Sequence, residues 1–142
     1  MDDIADAEPP PLAVYERAQA AGNLWVATCR GEVVGYVLAL QLDGQAHLEQ
    51  LSVDPAHSRR GLGAALVGTV TAWAAVLGAP DVTLSTFRDV PWNGPYYQRL
   101  GFEVLDETRW TPALQSIRAH EAADGLDLTA RVIMRLRLPT AP

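Results

Sequence analysis

Cysteine is almost missing from this chain: of 142 residues, only Cys29 is one. A lone cysteine excludes an internal disulfide and any cysteine-based zinc cluster. It fits a reducing compartment, so a cytoplasmic location is the expectation. Cys29 sits in an apolar strand pattern and reads as a small core residue, not a nucleophile. Long apolar runs are missing too. None reaches the roughly 18 residues of a membrane span, and the acidic stretch Met1–Glu8 does not have the order of a signal peptide. Bases are outnumbered, with 11 Lys plus Arg against 17 Asp plus Glu and a formal net charge of −6. Such a surface argues against a nucleic-acid partner. His47, His57 and His120 are too scattered to suggest a metal site. No repeat, linker or change of composition divides the chain, which reads as one domain over residues 1–142 with a frayed lead over 1–9.

What is present describes a globular protein: 49% hydrophobic and 20% charged residues. After Pro9-Pro10-Pro11, residues Leu12, Val14, Tyr15, Ala18 and Ala21 share one face of a short helix that Gly22-Asn23 ends. Leu24–Cys29, Val33–Leu42 and a stretch ending at Val53 read as strands. The turns Arg30-Gly31-Glu32 and Asp43-Gly44 join them into an antiparallel meander. A helix from about Gly61 buries Leu62, Leu66, Val70, Trp73 and Leu77 and stops near Gly78. Asp81–Thr86 is a strand, and strand–helix–strand order predicts parallel pairing of 48–53 with 81–86. A short helix spans Asn93–Leu100, and Phe102–Leu105 starts another strand. Thr111-Pro112 opens a helix that runs to about Ala123, and Arg131–Leu138 is the last strand. The fold class is therefore α/β (α+β): a mixed central sheet, antiparallel first and parallel in the middle, with helices between the strands.

The chain is organised around Leu48–Val67. Leu48, Leu51 and Val53 suit a buried strand that Asp54-Pro55 stops. Ser58-Arg59-Arg60-Gly61-Leu62-Gly63 is a short basic loop with glycines, and a helical rhythm begins at Ala64. Such a loop aims backbone N–H groups at one point, and the helix dipole adds positive potential, which together suit a phosphate. The plain alternative is a strand-to-helix turn with two solvated arginines. Ligands in such sheets tend to bind where the strand order switches, and this loop lies there.

Val53–Leu66 resembles the acyl-CoA pyrophosphate loop of the GNAT superfamily of N-acetyltransferases, with its pattern Gln/Arg-x-x-Gly-x-Gly/Ala. Gly61 and Gly63 fill the two small positions. Ser58 stands where Gln or Arg is usual, and Arg59 and Arg60 supply the charge instead. Asn93-Gly-Pro-Tyr-Tyr-Gln-Arg-Leu-Gly-Phe102 resembles the family's following helix, Tyr-x-x-x-Gly-Phe, with Tyr97, Gly101 and Phe102 in register. The family's usual first strand has no convincing counterpart in Met1–Glu8.

The resemblance implies acetyl-CoA as cosubstrate, no metal, and an amine acceptor, in an enzyme that transfers acetyl in a ternary complex. A non-catalytic acyl-CoA-binding domain is the alternative, and a homodimer would be in keeping with the family. By the resemblance, the backbone of Leu51, Ser52 and Val53 pairs with the pantetheine arm. The loop residues Arg60, Gly61, Leu62, Gly63 and Ala64 hold the pyrophosphate, and Arg59 or Arg60 reaches the ribose phosphate. Tyr97 matches the general acid, and Tyr96 points about 100° away around the helix. Asn93 either bonds the CoA arm or caps the helix. By period-two alternation His47, Glu49, Leu51 and Val53 share one strand face. Glu49 is the expected base, acting through water; His47 is its rival, and a water chain with no dedicated base is the third reading. The acids Glu103, Asp106, Glu107, Glu121 and Asp124 outnumber Arg109 and Arg118 there. They either favour a cationic amine or form a solvated surface. Trp92 and Trp110 either line the pocket or pack.

Overall fold

The computed structural model describes residues 12–42, 44–57, 61–90, 93–123 and 131–139. In chain order these form α1 (Leu12–Ala21), β1 (Leu24–Cys29), β2 (Glu32–Leu42), β3 (Gln45–Val53), a 3-10 turn at Pro55–His57, α2 (Leu62–Leu77) and β4 (Asp81–Phe87). Then follow α3 (Gly94–Arg99), β5 (Glu103–Val104), a second 3-10 turn at Glu107–Arg109, α4 (Pro112–Ala123) and β6 (Arg131–Arg137). The strands make one sheet in the order β1-β2-β3-β4-β6-β5. Among the described residues only β3 and β4 pair in parallel. At the β1–β2 turn Arg30 (φ 53°) and Gly31 (φ 82°) are both left-handed, the geometry that matches strand twist in a two-residue hairpin.

Helix α2 covers one face. Its Leu66, Val67, Val70 and Ala74 pack with Val37, Ala39, Leu48, Leu51, Val53 and Leu84 in the main core, which Tyr97 and Phe102 complete. Burial of each leucine there contributes about 1.5–3 kcal/mol. Trp73 of α2 meets Trp25 of β1 edge-on, 5.6 Å between ring centroids. The opposite face carries α1, whose Tyr15 hydroxyl is 3.1 Å from that of Tyr36, and α4, whose Leu114 packs with Leu105 and Ile133. Ile133 alternates with Val132 and Met134 of the main core, which fixes the two faces.

Several expected positions shift. Leu12 is 72% and Leu77 39% exposed, and Ala21 is exposed as well; all three stand at helix ends. Trp73 is only partly buried, and Cys29, expected in the core, is half-buried at the end of an edge strand. The parallel contact is not 48–53 with 81–86. It is Ala46 with Val82 and His47 with Thr83, and beyond those pairs β3 and β4 separate. Among the described residues no helix is long and apolar enough to cross a membrane.

Candidate acyl-CoA and acceptor site

The separation of β3 from β4 makes the site. Leu48–Val53 bonds to β2 along one edge, and past His47 its other edge has no ladder to β4. An extended ligand there meets a strand edge of unpaired backbone groups, a suitable mate for amides. Leu51 and Val53 are buried beneath it and Ser52 is half-buried. At the end of β3 the chain turns through Pro55–His57, with Asp54 Oδ1 accepting from Ala56 N, and then enters α2.

Gly61 starts α2 in a left-handed conformation (φ 78°, ψ 9°) and offers no side chain to cap the helix. Its carbonyl accepts from Ala65 N, so the helix is fully wound from its first turn. The first N–H groups of a helix have no intrahelical acceptor. Here they belong to Leu62, Gly63 and Ala64, at the positive end of a 16-residue dipole. Gly63 is buried, Leu62 packs on the main core and Ala64 is exposed. These residues fit an anion. Ser58, Arg59 and Arg60, as well as Trp92, lie outside the described residues.

Across the opening, α3 follows β4. Gly94 is required there: a Cβ on it would collide with the carbonyl oxygen of Arg88. The close approach holds α3 against the end of β4. Asn93 is 1% exposed and makes no side-chain bond to its helix, so the capping role is not the one it has. Its Oδ1 instead accepts from Thr86 Oγ1 at 2.9 Å, which orients the amide. Tyr97 is 2% exposed, its ring edge-on to both Tyr96 (5.3 Å) and Phe102 (5.5 Å). Tyr96 is half-buried, and burial raises its phenol above the usual range.

The alternation expected for His47, Glu49, Leu51 and Val53 breaks in the middle. Leu38 pairs with Gln50 but Ala39 pairs with Leu48, so Glu49 is the extra residue of a β-bulge. The bulge puts Leu51 and Val53 in the main core with Ala46 and Leu48, and leaves His47 and Glu49 on the α4 face. His47 Nε2 is 3.8 Å from Glu49 Oε2, and His47 Nδ1 is 2.8 Å from Thr83 Oγ1. Burial pushes the imidazole down to about 4, so it is neutral near pH 7. Burial also lifts the Glu49 carboxyl to about 7. Glu121 raises it further, while Arg131 and His120 oppose. Glu49 keeps 36% of its side chain open to solvent.

Glu121, one of five acids that the sequence presents together, has three partners among the described residues. Its Oε2 accepts from Ser85 Oγ at 2.8 Å and from Arg131 Nε at 2.7 Å, and Arg118 Nε is 3.7 Å from Oε1. Its spacing from Leu114, Ile117 and Arg118 marked one inward helix face and was the available clue. Trp110 packs against the Leu105–Leu114–Ile133 cluster: its Nε1 donates to Leu105 O, and the Arg118 guanidinium lies 5.0 Å from its ring centroid. Glu103, by contrast, pairs with Arg135 and Arg137 on the surface. Among the described residues no group of three or more His, Cys, Asp or Glu is placed to hold a metal ion.

A mixed sheet opened between two parallel strands, with a bare helix N-terminus at its mouth, offers a place for an extended anionic ligand. The family described as acetyltransferase (GNAT) matches residues 2–102, and the chain belongs to that family. It is similar to two mouse proteins, N-acetyltransferase family 8 member 3 and member 7, each 40% identical over 93 residues, 61% of this chain and 41% of theirs. The chain thus spans about two-fifths of the length of those relatives. Among solved structures, N-acetylglutamate synthase from Neisseria gonorrhoeae, complexed with coenzyme A and N-acetyl-glutamate, has a TM-score of 0.76 over 93% of this chain and 29% of that one, at 15% identity. The ribosomal-protein-S18-alanine N-acetyltransferase from Escherichia coli gives 0.66 over 98% and 84%, at 18% identity. These structures share the fold. Acetyl-CoA is the cosubstrate of this family of transferases.

Proposed function

We propose that the chain transfers acetyl from acetyl-CoA to a primary amine, of a small molecule or a protein, by direct attack in a ternary complex. The observation that carries this is the opening of β3 from β4 just past the His47–Thr83 pair, with Gly61 and the α2 N-terminus at its end. The N–H groups of Gly61, Leu62, Gly63 and Ala64 take the pyrophosphate, aided by the charges of Arg59 and Arg60. The edge of Leu51–Val53 guides the pantetheine, and Asn93 bonds its amides.

The acceptor must lose a proton as it attacks. Glu49, poised near neutrality, takes that proton through a water molecule. His47 is neutral and too weak a base at that pH, which favours Glu49. The amine nitrogen bonds to the acetyl carbon, the carbon–sulfur bond breaks, and the thiolate leaves. Tyr97 gives the thiolate its hydroxyl proton and regains one from solvent. All 11 basic residues that could be Lys or Arg are Arg. Self-acetylation on lysine therefore cannot obscure assays with lysine-bearing acceptors. Thiol release from acetyl-CoA with a panel of amines tests the reading, with product mass as the second readout. Amine-dependent release supports it, and CoA binding without turnover on any amine leaves only a binding domain. Tyr97→Phe should lower kcat and leave KM for acetyl-CoA nearly unchanged.

A further inference from the structure

Glu49 and Ser85 are placed alike on two diverging strands. His47 of β3 pairs with Thr83 of β4, and these are the last partners before the strands part. Glu49 and Ser85 each lie two residues further on. Ser85 alternates with Val82 and Leu84 of the main core, so it points to the α4 face, where Glu49 also lies. Over Ser85 sits Glu121 of α4, 9% exposed and fastened to Ser85 Oγ and Arg131 Nε. Arg131 is itself anchored, donating to Ser85 O at 3.1 Å and lying 5.1 Å from the Phe87 ring centroid. Glu121 Oε1 makes no hydrogen bond. The fold thus holds a fixed, buried carboxylate across the opening from Glu49.

We propose that Glu121 is a positioning residue of the reaction, one that sets the charge state of Glu49 from across the opening while Arg131 limits its effect. The proposal rests on the reading of Glu49 as the base. Among the described residues, the charged and titratable groups acting on Glu49 are His47 of β3, His120 and Glu121 of α4, and Arg131 of β6, while Arg118 of α4 faces Glu121. His47 stays neutral at the working pH and is unchanged in every variant below. Like charges disfavour each other's ionisation, and a nearby cation does the reverse. The two partners therefore act on Glu49 with opposite signs, which a merely structural role would not do.

The test is the pH dependence of kcat/KM, together with a carboxyl-carbon NMR titration of Glu49 in the full chain. Glu121→Gln should move the acidic limb and the Glu49 titration to lower pH, and Arg131→Gln should move both to higher pH, each on the order of one unit. The double variant Glu121→Gln/Arg131→Gln removes both members of the 2.7 Å ion pair together. If either single variant does not fold, the double one decides, with a midpoint below that of the parent because the raising partner outweighs the lowering one. Shifts of the same sign in both single variants, or an unchanged Glu49 titration, overturn the proposal. A moving NMR titration with a fixed kinetic limb supports the link between Glu121 and Glu49 and removes Glu49 as the base.

Discussion

Nε2 of His47 stands 3.8 Å from Oε2 of Glu49, on a side of β3 that Leu51 and Val53 do not share. The bulge at Glu49 brings this about. It lets one strand supply both the apolar floor of the opening and the polar pair facing α4. Burial moves the two groups in opposite directions, His47 down to about 4 and Glu49 up to about 7. The result is a neutral imidazole beside a carboxyl pushed up to about 7.

The first prediction concerns rate. On the proposed role of Glu49, the carboxyl must be ionised to act, so kcat/KM should rise through about pH 7. Glu49→Gln should lower kcat by about 10²–10⁴-fold and flatten that limb. His47→Gln should keep the limb. A limb near 7 that survives in Glu49→Gln and vanishes in His47→Gln would give the role to His47.

The second concerns stability. His47 binds its proton less readily when folded, so the stability it contributes is present above about pH 6.5 and lost as pH falls toward 4. For this fully buried group the loss is on the order of 3 kcal/mol. Glu49 holds its proton more tightly when folded, so its contribution is full below about 4.5 and lost as pH rises through about 7. The slopes oppose each other between about 4.5 and 6.5. Relative to the parent, His47→Gln should therefore give a Tm that falls with rising pH across that window. Glu49→Gln should give one that rises. Thermal melts from pH 4 to 8 check this, and parallel curves for all three proteins would contradict it.

Much of the fold was legible because its signals are local. Strand runs, hairpin turns, Gly78 after α2 and Thr111-Pro112 before α4 each depend on neighbouring residues. The glycine-bearing start of α2 and the Tyr97–Phe102 stretch that ends α3 stood out as motifs. The bulge was not, because an inserted residue leaves a strand's composition unchanged and shows only in its pairing with β2. Glu121 could not be singled out from its neighbouring acids because its partners Ser85 and Arg131 come from strands 36 and 10 residues away in sequence. The bond that Asn93 accepts from Thr86 was not legible, because Thr86 precedes it by seven residues on another element, β4.

A third prediction tests the mount of α3. Gly94→Ala puts a methyl group into the backbone carbonyl of Arg88, where no side-chain rearrangement relieves it. Such overpacking costs about 1–3 kcal/mol or more. Tm should fall, and kcat should fall with it as Asn93 and Tyr97 shift. A variant with unchanged Tm would mean that α3 is not held this way.

The central claim is that the β3–β4 opening and the α2 N-terminus take acyl-CoA, and Gly61 tests it most directly. Its left-handed φ of 78° is costly for a β-branched residue, and a Cβ added there would meet no atom within 4 Å, so the effect is on the backbone alone. Gly61→Val should cost about 1–3 kcal/mol in strain and turn the N–H groups of Leu62 and Gly63 away from the phosphate. Calorimetric titration with CoA should show binding to the parent chain, weakened about tenfold or more in Gly61→Val. No binding to the parent, or equal affinity in a folded Gly61→Val, would contradict the account.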